Sequence, residues 1–251
     1  MRRILLLLAL LPALLPLRAQ ERTLTQQGVY WLRYANTLVL SPDWSVFSEV
    51  EDRRYMSNNR QHQWLLPRVT GYYSGVSGLK LGLGATYFRQ ALPHDGATEV
   101  AVVNPEWRPH ADVIQTPRTG RVRWTNRLRV EGRFFGKESN GDEIGRVWTY
   151  NTRFRWLLQA AVPLTSSDAN VSVKAKVFDE VMVQFGTNVG VNVFDQNRIG
   201  GGIGVGLSPA ITLDADYFWW YQQRSTGFDY WSRHIVRFSV KHRITLRSKS
   251  A

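Results

Sequence analysis

Between Arg121 and Phe135 the chain reads RVRWTNRLRVEGRFF, with five arginines and one glutamate on odd positions. These are Arg121, Arg123, Arg127, Arg129, Glu131 and Arg133; Val122, Trp124, Leu128, Val130 and Phe134 lie between them. Guanidiniums and carboxylates brought together can do two things. They neutralise one another in forked ion pairs, or a surplus of bases draws in an anion. The pattern recurs in acids at Glu49, Glu51, Glu180, Asp214 and Asp216. It recurs in bases at Arg53, Arg68, Arg153, Arg155, Lys174, Lys176 and Arg198. If these charges share an interior, they must be paired and hydrogen-bonded to be tolerated.

Other chemistry has less to stand on. A hydrolase or acyltransferase needs a hydroxyl nucleophile with a base in reach. The five histidines, His62, His94, His110, His234 and His242, include no His-x-Ser arrangement. His94 sits in a loop sequence, LPHDGAT, and His234 and His242 share the apolar parity of the last stretch. No histidine pair or acidic cluster has metal-ligand spacing. There is no cysteine, hence no disulfide, no thiolate and no lipidated cysteine. GGGIGVG (200–206) lacks the spacing and following helix of a dinucleotide loop. Its Gly200, Gly202, Gly204 and Gly206 share one parity. They make room for bulky arginines opposite, with a smooth wall beside a pore as the sharper alternative. No catalytic, metal or cofactor-binding residue is therefore assigned, and the protein is expected not to be an enzyme.

What element would carry such charges? A period of two divides a strand into chemically different faces, whereas a helix would smear these arginines around its axis. The same period runs through 30–40, 44–55, 62–73, 79–89, a less regular 99–111, 148–162, 170–177, 194–207, 211–222 and 230–244. With 121–135 that makes eleven segments. Short turns near 41–43, 74–78, 164–168 and 208–210 alternate with longer loops near 55–61, 89–98, 136–145, 185–193 and 223–229. That is the rhythm of an up-and-down meander with one tight and one looped end.

A two-faced strand fits a soluble barrel with apolar residues inside or a membrane barrel with them outside. The segments are longer than soluble strands, which average about 5–6 residues, and they reach the ~9–11 of a membrane strand. Tyr30, Tyr87, Trp124, Phe134, Trp148, Tyr217, Trp219 and Tyr221 stand on apolar faces, many near strand ends, as interfacial girdles require. Asn126 and Thr152 are exceptions on that face. Lipid-facing arginines would cost ~2–4 kcal/mol each near the midplane, so the charges are expected to point into the lumen. The opening MRRILLLLALLPALLPLRAQ has the n-region, h-region and small-residue order of a signal peptide over residues 1–19. Removing its three arginines lowers the net charge from +12 to about +9. The bases are spread by parity rather than clustered in a patch, so nucleic acid is not an expected partner.

The expected fold is thus all-β: an antiparallel up-and-down transmembrane β-barrel of about twelve strands (10–12), one domain over residues 20–251, in the bacterial outer membrane. Even numbers are the rule for such barrels. Residues 20–28 would supply the twelfth strand or a segment tucked into the lumen, with an unusual closure as the alternative.

Several stretches resemble an uncharacterised bacterial outer-membrane barrel family, domain-of-unknown-function family 2490. They are WLRYANTLVLSPDWSVFSEVEDRRY, EWRPH (106–110), NRLRVEGRFF (126–135), FDE (178–180) and FDQNRIGGGIGVGLSP (194–209). The resemblance implies an outer-membrane barrel, lipid and the outer-membrane assembly machinery as partners, and no assigned activity. Such barrels commonly end on an aromatic residue; this chain runs on to LRSKSA.

The candidate site is a lumen network of Glu49, Glu51, Arg53, Arg68, Arg123, Arg127, Arg129, Glu131, Arg133, Arg153, Arg155, Glu180, Arg198, Asp214 and Asp216. Its surplus of bases points first to a narrow barrel that binds or passes a small anionic solute. A structural barrel acting through its loops is second, and a lipid-modifying enzyme third. No cofactor is expected.

Overall fold

The computed structural model describes residues 22–100, 102–139, 143–166, 171–187, 189–190 and 192–246. The expected signal peptide, residues 1–19, lies outside them. The chain forms β1 (Leu24–Val39), β2 (Trp44–Tyr55), β3 (Gln61–Val76), β4 (Leu79–Leu92), β5 (Val102–Gln115) and β6 (Arg118–Thr119). It continues with β7 (Val122–Ser139), β8 (Glu143–Pro163), β9 (Ser172–Phe185), β10 (Phe194–Gly206), β11 (Ile211–Gln223) and β12 (Tyr230–Thr245). Among the described residues there is no helix.

Alternating chemistry becomes alternating burial. Along β11, Asp214, Asp216, Phe218 and Trp220 are buried, while Leu213, Ala215, Tyr217 and Trp219 between them are exposed. Strong charge therefore lies inside, and the outer wall is apolar. The two exceptions on that wall are locally satisfied. Trp156 Nε1 donates to Asn126 Oδ1 at 2.8 Å, and the Thr152 and Tyr150 hydroxyls share a 2.9 Å bond.

Strands β1 to β5 and β7 to β12 each pair with the next in sequence, and β5 pairs directly with β7. The two-residue β6 folds back on β7 alone and stands outside the closure. The barrel thus closes with eleven strands, within the expected 10–12, and β6 is a twelfth outside it. A meander reverses direction at every turn, so an odd number leaves the first and last strands pointing the same way. The seam between β1 and β12 is accordingly parallel, from Leu24 opposite Tyr230 to Val39 opposite Thr245. The remaining pairs are antiparallel, and residues 24–28 are the start of β1, not a separate strand.

Tight turns at one end are held by serines preceding proline. Ser41 Oγ accepts from the Trp44 backbone N–H at 3.1 Å, and Ser208 Oγ accepts from Ala210 and Ile211 at 3.2 and 3.1 Å. At the other end, β7 and β8 extend into the expected 136–145 loop, whose residues 140–142 lie outside the described set.

Candidate functional site

Facing strands bring the inward charges together in chains. Glu131 of β7 is fully buried and accepts from Arg153 and Arg155 of β8, the latter at 2.8 Å, with Arg129 at 3.7 Å. Arg155 reaches on to Glu180 of β9 at 2.7 Å, which also holds Arg127 at 2.6 Å. Arg129 forks onto both oxygens of Asp112 at 2.5 and 2.7 Å, and Glu106 holds Arg108 and Arg133 at 2.6 and 2.7 Å. Glu49 pairs with Arg33 and Arg68, and Glu51 with Arg53 at 2.5 Å. Lys176 bridges Asp214 and Asp216 at 2.8 and 2.7 Å; Lys241 completes Asp214 and Arg237 completes Asp216. Shared, forked contacts of this kind let a low-dielectric interior hold so many charges.

Within this network lies a cavity of about 160 Å³. Nine basic side chains line it: Arg33, Arg53, Arg68, Arg127, Arg155, Lys176, Arg198, Arg237 and Lys241. Only three carboxylates do so, those of Glu49, Glu51 and Glu180. Its apolar lining comes from Trp31, Leu157, Phe178 and Phe218. Lys241, on the tight-turn side of the lining, has a side chain 37 % exposed. Arg198 is the least compensated base of this lining. Its nearest carboxylate oxygen is 3.9 Å away on Glu180, and it stands over the rings of Trp220 and Trp31 at 4.7 and 5.3 Å. The Nε groups of Arg33, Arg127 and Arg198 have no hydrogen-bond partner among the described residues.

Toward the looped end the lumen is closed. Trp31 and Phe218 belong to a buried cluster with Val29, Tyr55, Trp220 and Ile235, none more than 3 % exposed. The indole of Trp31 packs edge-on to Phe218 and Trp220. A water-filled channel would leave its lining residues accessible, and these are not.

The family described as "Protein of unknown function (DUF2490)" matches residues 28–232, from within β1 to within β12. The chain belongs to that family. The matched span touches every strand of the closed barrel, so the DUF2490 unit and the barrel coincide. No curated protein and no solved structure is found to match.

Fourteen of the fifteen residues in the expected network line or border the lumen of this DUF2490 barrel. Arg123 does not. It stands exposed at the tight-turn rim, in register with Arg118 of β6. The barrel interior also contains groups outside the expected network. On β5, Glu106, Arg108, His110 and Asp112 all point inward, an alternation interrupted in the sequence by Pro105 and Pro109. Arg33, Arg237 and Lys241 hold the polar parity of β1 and β12. Two further inward groups, His62 and Asp195, obey no parity. Each is the extra residue of a β-bulge, His62 between the pairs Arg54–Gln61 and Arg53–Gln63, Asp195 between Phe194 and Gln196. Asp195 so placed takes Arg153 at 2.9 Å.

The glycines of β10 make room, though not for arginines opposite. A Cβ on Gly202 would come within 2.2 Å of Asp216 Oδ1 and 2.4 Å of the Ala215 carbonyl oxygen, and one on Gly204 within 2.5 Å of Asp214 Oδ1. The glycine stripe admits the two aspartates of the neighbouring strand.

Proposed function

We propose that this DUF2490 protein is an outer-membrane barrel that holds a small anionic solute in a blind vestibule opening at its tight-turn end. The membrane reading is supported by the outer wall, on which Leu83, Val177 and Leu128 are 74 %, 63 % and 54 % exposed among many other exposed apolar side chains. Soluble monomers rarely expose large apolar patches. Short turns of outer-membrane barrels face the periplasm, so the vestibule would be filled from that side.

The anion reading rests on one observation: after Asp214 and Asp216 behind the lining take Lys176, Arg237 and Lys241, Arg198 is left barely paired beside the cavity. The apolar floor of Trp31, Phe178 and Phe218 suits a solute with a hydrocarbon part beside its anionic group. The size of the cavity limits it to roughly one aromatic ring or a short chain. Titration calorimetry of purified protein with acetate, benzoate and phosphate tests this. Binding of at least one anion, weakened about tenfold or more in Arg198→Gln, is the expected result. Absence of any anion-dependent heat would discard it and leave the second reading, a structural barrel acting through its looped end. The closed layer at Trp31 favours that second reading over open transport.

A further inference from the structure

We propose a second anion site behind Trp220, at the looped end, that takes a small inorganic anion of the halide type. This site stands on charge balance around Arg233 and is independent of the vestibule. Arg233 is 1 % exposed. Its Nε and Nη1 donate to the amide oxygens of Gln27 and Gln222 at 2.7 and 2.6 Å, and its Nη2 has no partner. Among the described residues no carboxylate lies in ion-pair range of it. Comparably buried arginines in this lumen, such as Arg129, Arg153 and Arg155, each grip one or two. A guanidinium met only by amide dipoles and by the ring faces of Trp220 and Trp231 keeps an unbalanced charge, which a counter-ion would relieve.

Further polar groups without partners gather around it. They are Tyr55 Oη, Trp220 Nε1 and both ring nitrogens of His62, all on residues no more than 3 % exposed. The His62 ring lies 5.1 Å from that of Tyr55, 5.3 Å from His94 and 5.8 Å from Trp220, centroid to centroid. The Arg233 guanidinium lies 4.7 Å from the Trp220 ring. Buried polar groups are normally hydrogen-bonded, so this many orphans in one place point to a bound species. A metal ion is disfavoured by the positive charge of Arg233. A monatomic anion accepts from N–H and O–H donors in any direction and asks for the least room. The 93–98 loop covers the site, held by Gln27 Nε2 donating to the His94 carbonyl oxygen at 2.7 Å and by Asn58 donating to that of Gly96.

Crystals of the wild-type protein grown in sodium bromide and measured at the bromine edge test the site directly. An anomalous peak within hydrogen-bond reach of Arg233 Nη2 and Trp220 Nε1 is expected; no peak there overturns the proposal. In detergent solution the wild type should melt about 3 °C higher in chloride than in gluconate at equal ionic strength. Arg233→Met should abolish that difference, and its persistence would overturn the proposal. Should Arg233→Met not fold, His62→Phe serves in its place, with at least half the difference expected to go. Arg198→Gln should keep the halide response, so a failure of the vestibule and a failure of this site are told apart.

Discussion

The guanidinium of Arg198 stands 4.7 Å over the indole of Trp220, its register partner on the adjacent strand. On the far side, Arg233 is the register partner of the same tryptophan and lies at the same distance from its ring. Trp220 is therefore flanked around the wall by two arginines, Arg198 of the cavity lining and Arg233 nearer the looped end. Truncating it to Ala should open a path. In planar bilayers Trp220→Ala is expected to show small, anion-selective conductance steps where the wild type shows none. Identical silent traces for both would mean that other groups close the lumen.

Glu131 and Glu180 each take three arginines, more than any other carboxylate among the described residues. Glu131→Gln would leave Arg153 and Arg155 short of a counter-charge in a dry site, a change that costs about 3–5 kcal/mol for a buried pair. Urea unfolding followed by tryptophan fluorescence should report that loss. Arg123→Gln, at the exposed rim, should stay within about 0.5 kcal/mol of wild type. Equal effects of the two would show that the network does not behave as a buried one.

Gly202 has no room for a side chain. Val at this position would drive a methyl into the Ala215 carbonyl and the Asp216 carboxylate, breaking the hold of Asp216 on Lys176 and Arg237. The yield of folded, heat-modifiable barrel on gels should fall severely. Gly190→Ala, with open space around it, should fold like the wild type.

Leu128 is 54 % exposed at the centre of the outer wall. If lipid tails meet it, Leu128→Arg should lower stability in lipid vesicles by about 2–4 kcal/mol. The same substitution on a wall that faces water would have almost no effect, and a protein that stays dissolved without detergent would end the membrane reading.

His94 lies between β4 and β5, and burial, followed by the positive charge of Arg233, pushes its pKa down to about 3. The sign follows from linkage. The closed loop keeps the imidazole neutral, while in an opened loop it would take a proton near its ordinary value of about 6.5. Closure is therefore unaffected above pH 6.5 and weakens progressively as pH falls toward 3. Hydrogen exchange of amides 93–98 should accelerate over that interval, and His94→Gln should flatten the dependence. A pH-independent exchange rate in the wild type would contradict it.

Residues such as Arg127, Arg129 and Glu131 announced their side of the wall, because side chains on a strand alternate strictly and a lipid-sized strand needs one apolar face throughout. The alternation of β11 was equally plain. His62 and Asp195 were not legible, since a bulge shifts the phase by one residue and leaves no mark in composition. Nor was the role of the glycine stripe, which depends on which aspartates lie across the ladder from Gly202 and Gly204.

By itself, then, the amino-acid order determined a two-faced strand repeat, its polar and apolar parities and the rhythm of tight and looped ends. All of these are local properties, set by the pleat of a single strand. Only the tertiary structure decided the eleven-strand closure with its parallel seam, the partner of each carboxylate, the aromatic layer that blocks the lumen and the solitary burial of Arg233. Those depend on register between strands up to two hundred residues apart, and register is fixed by the closed hydrogen-bond ladder as a whole rather than by any stretch within it.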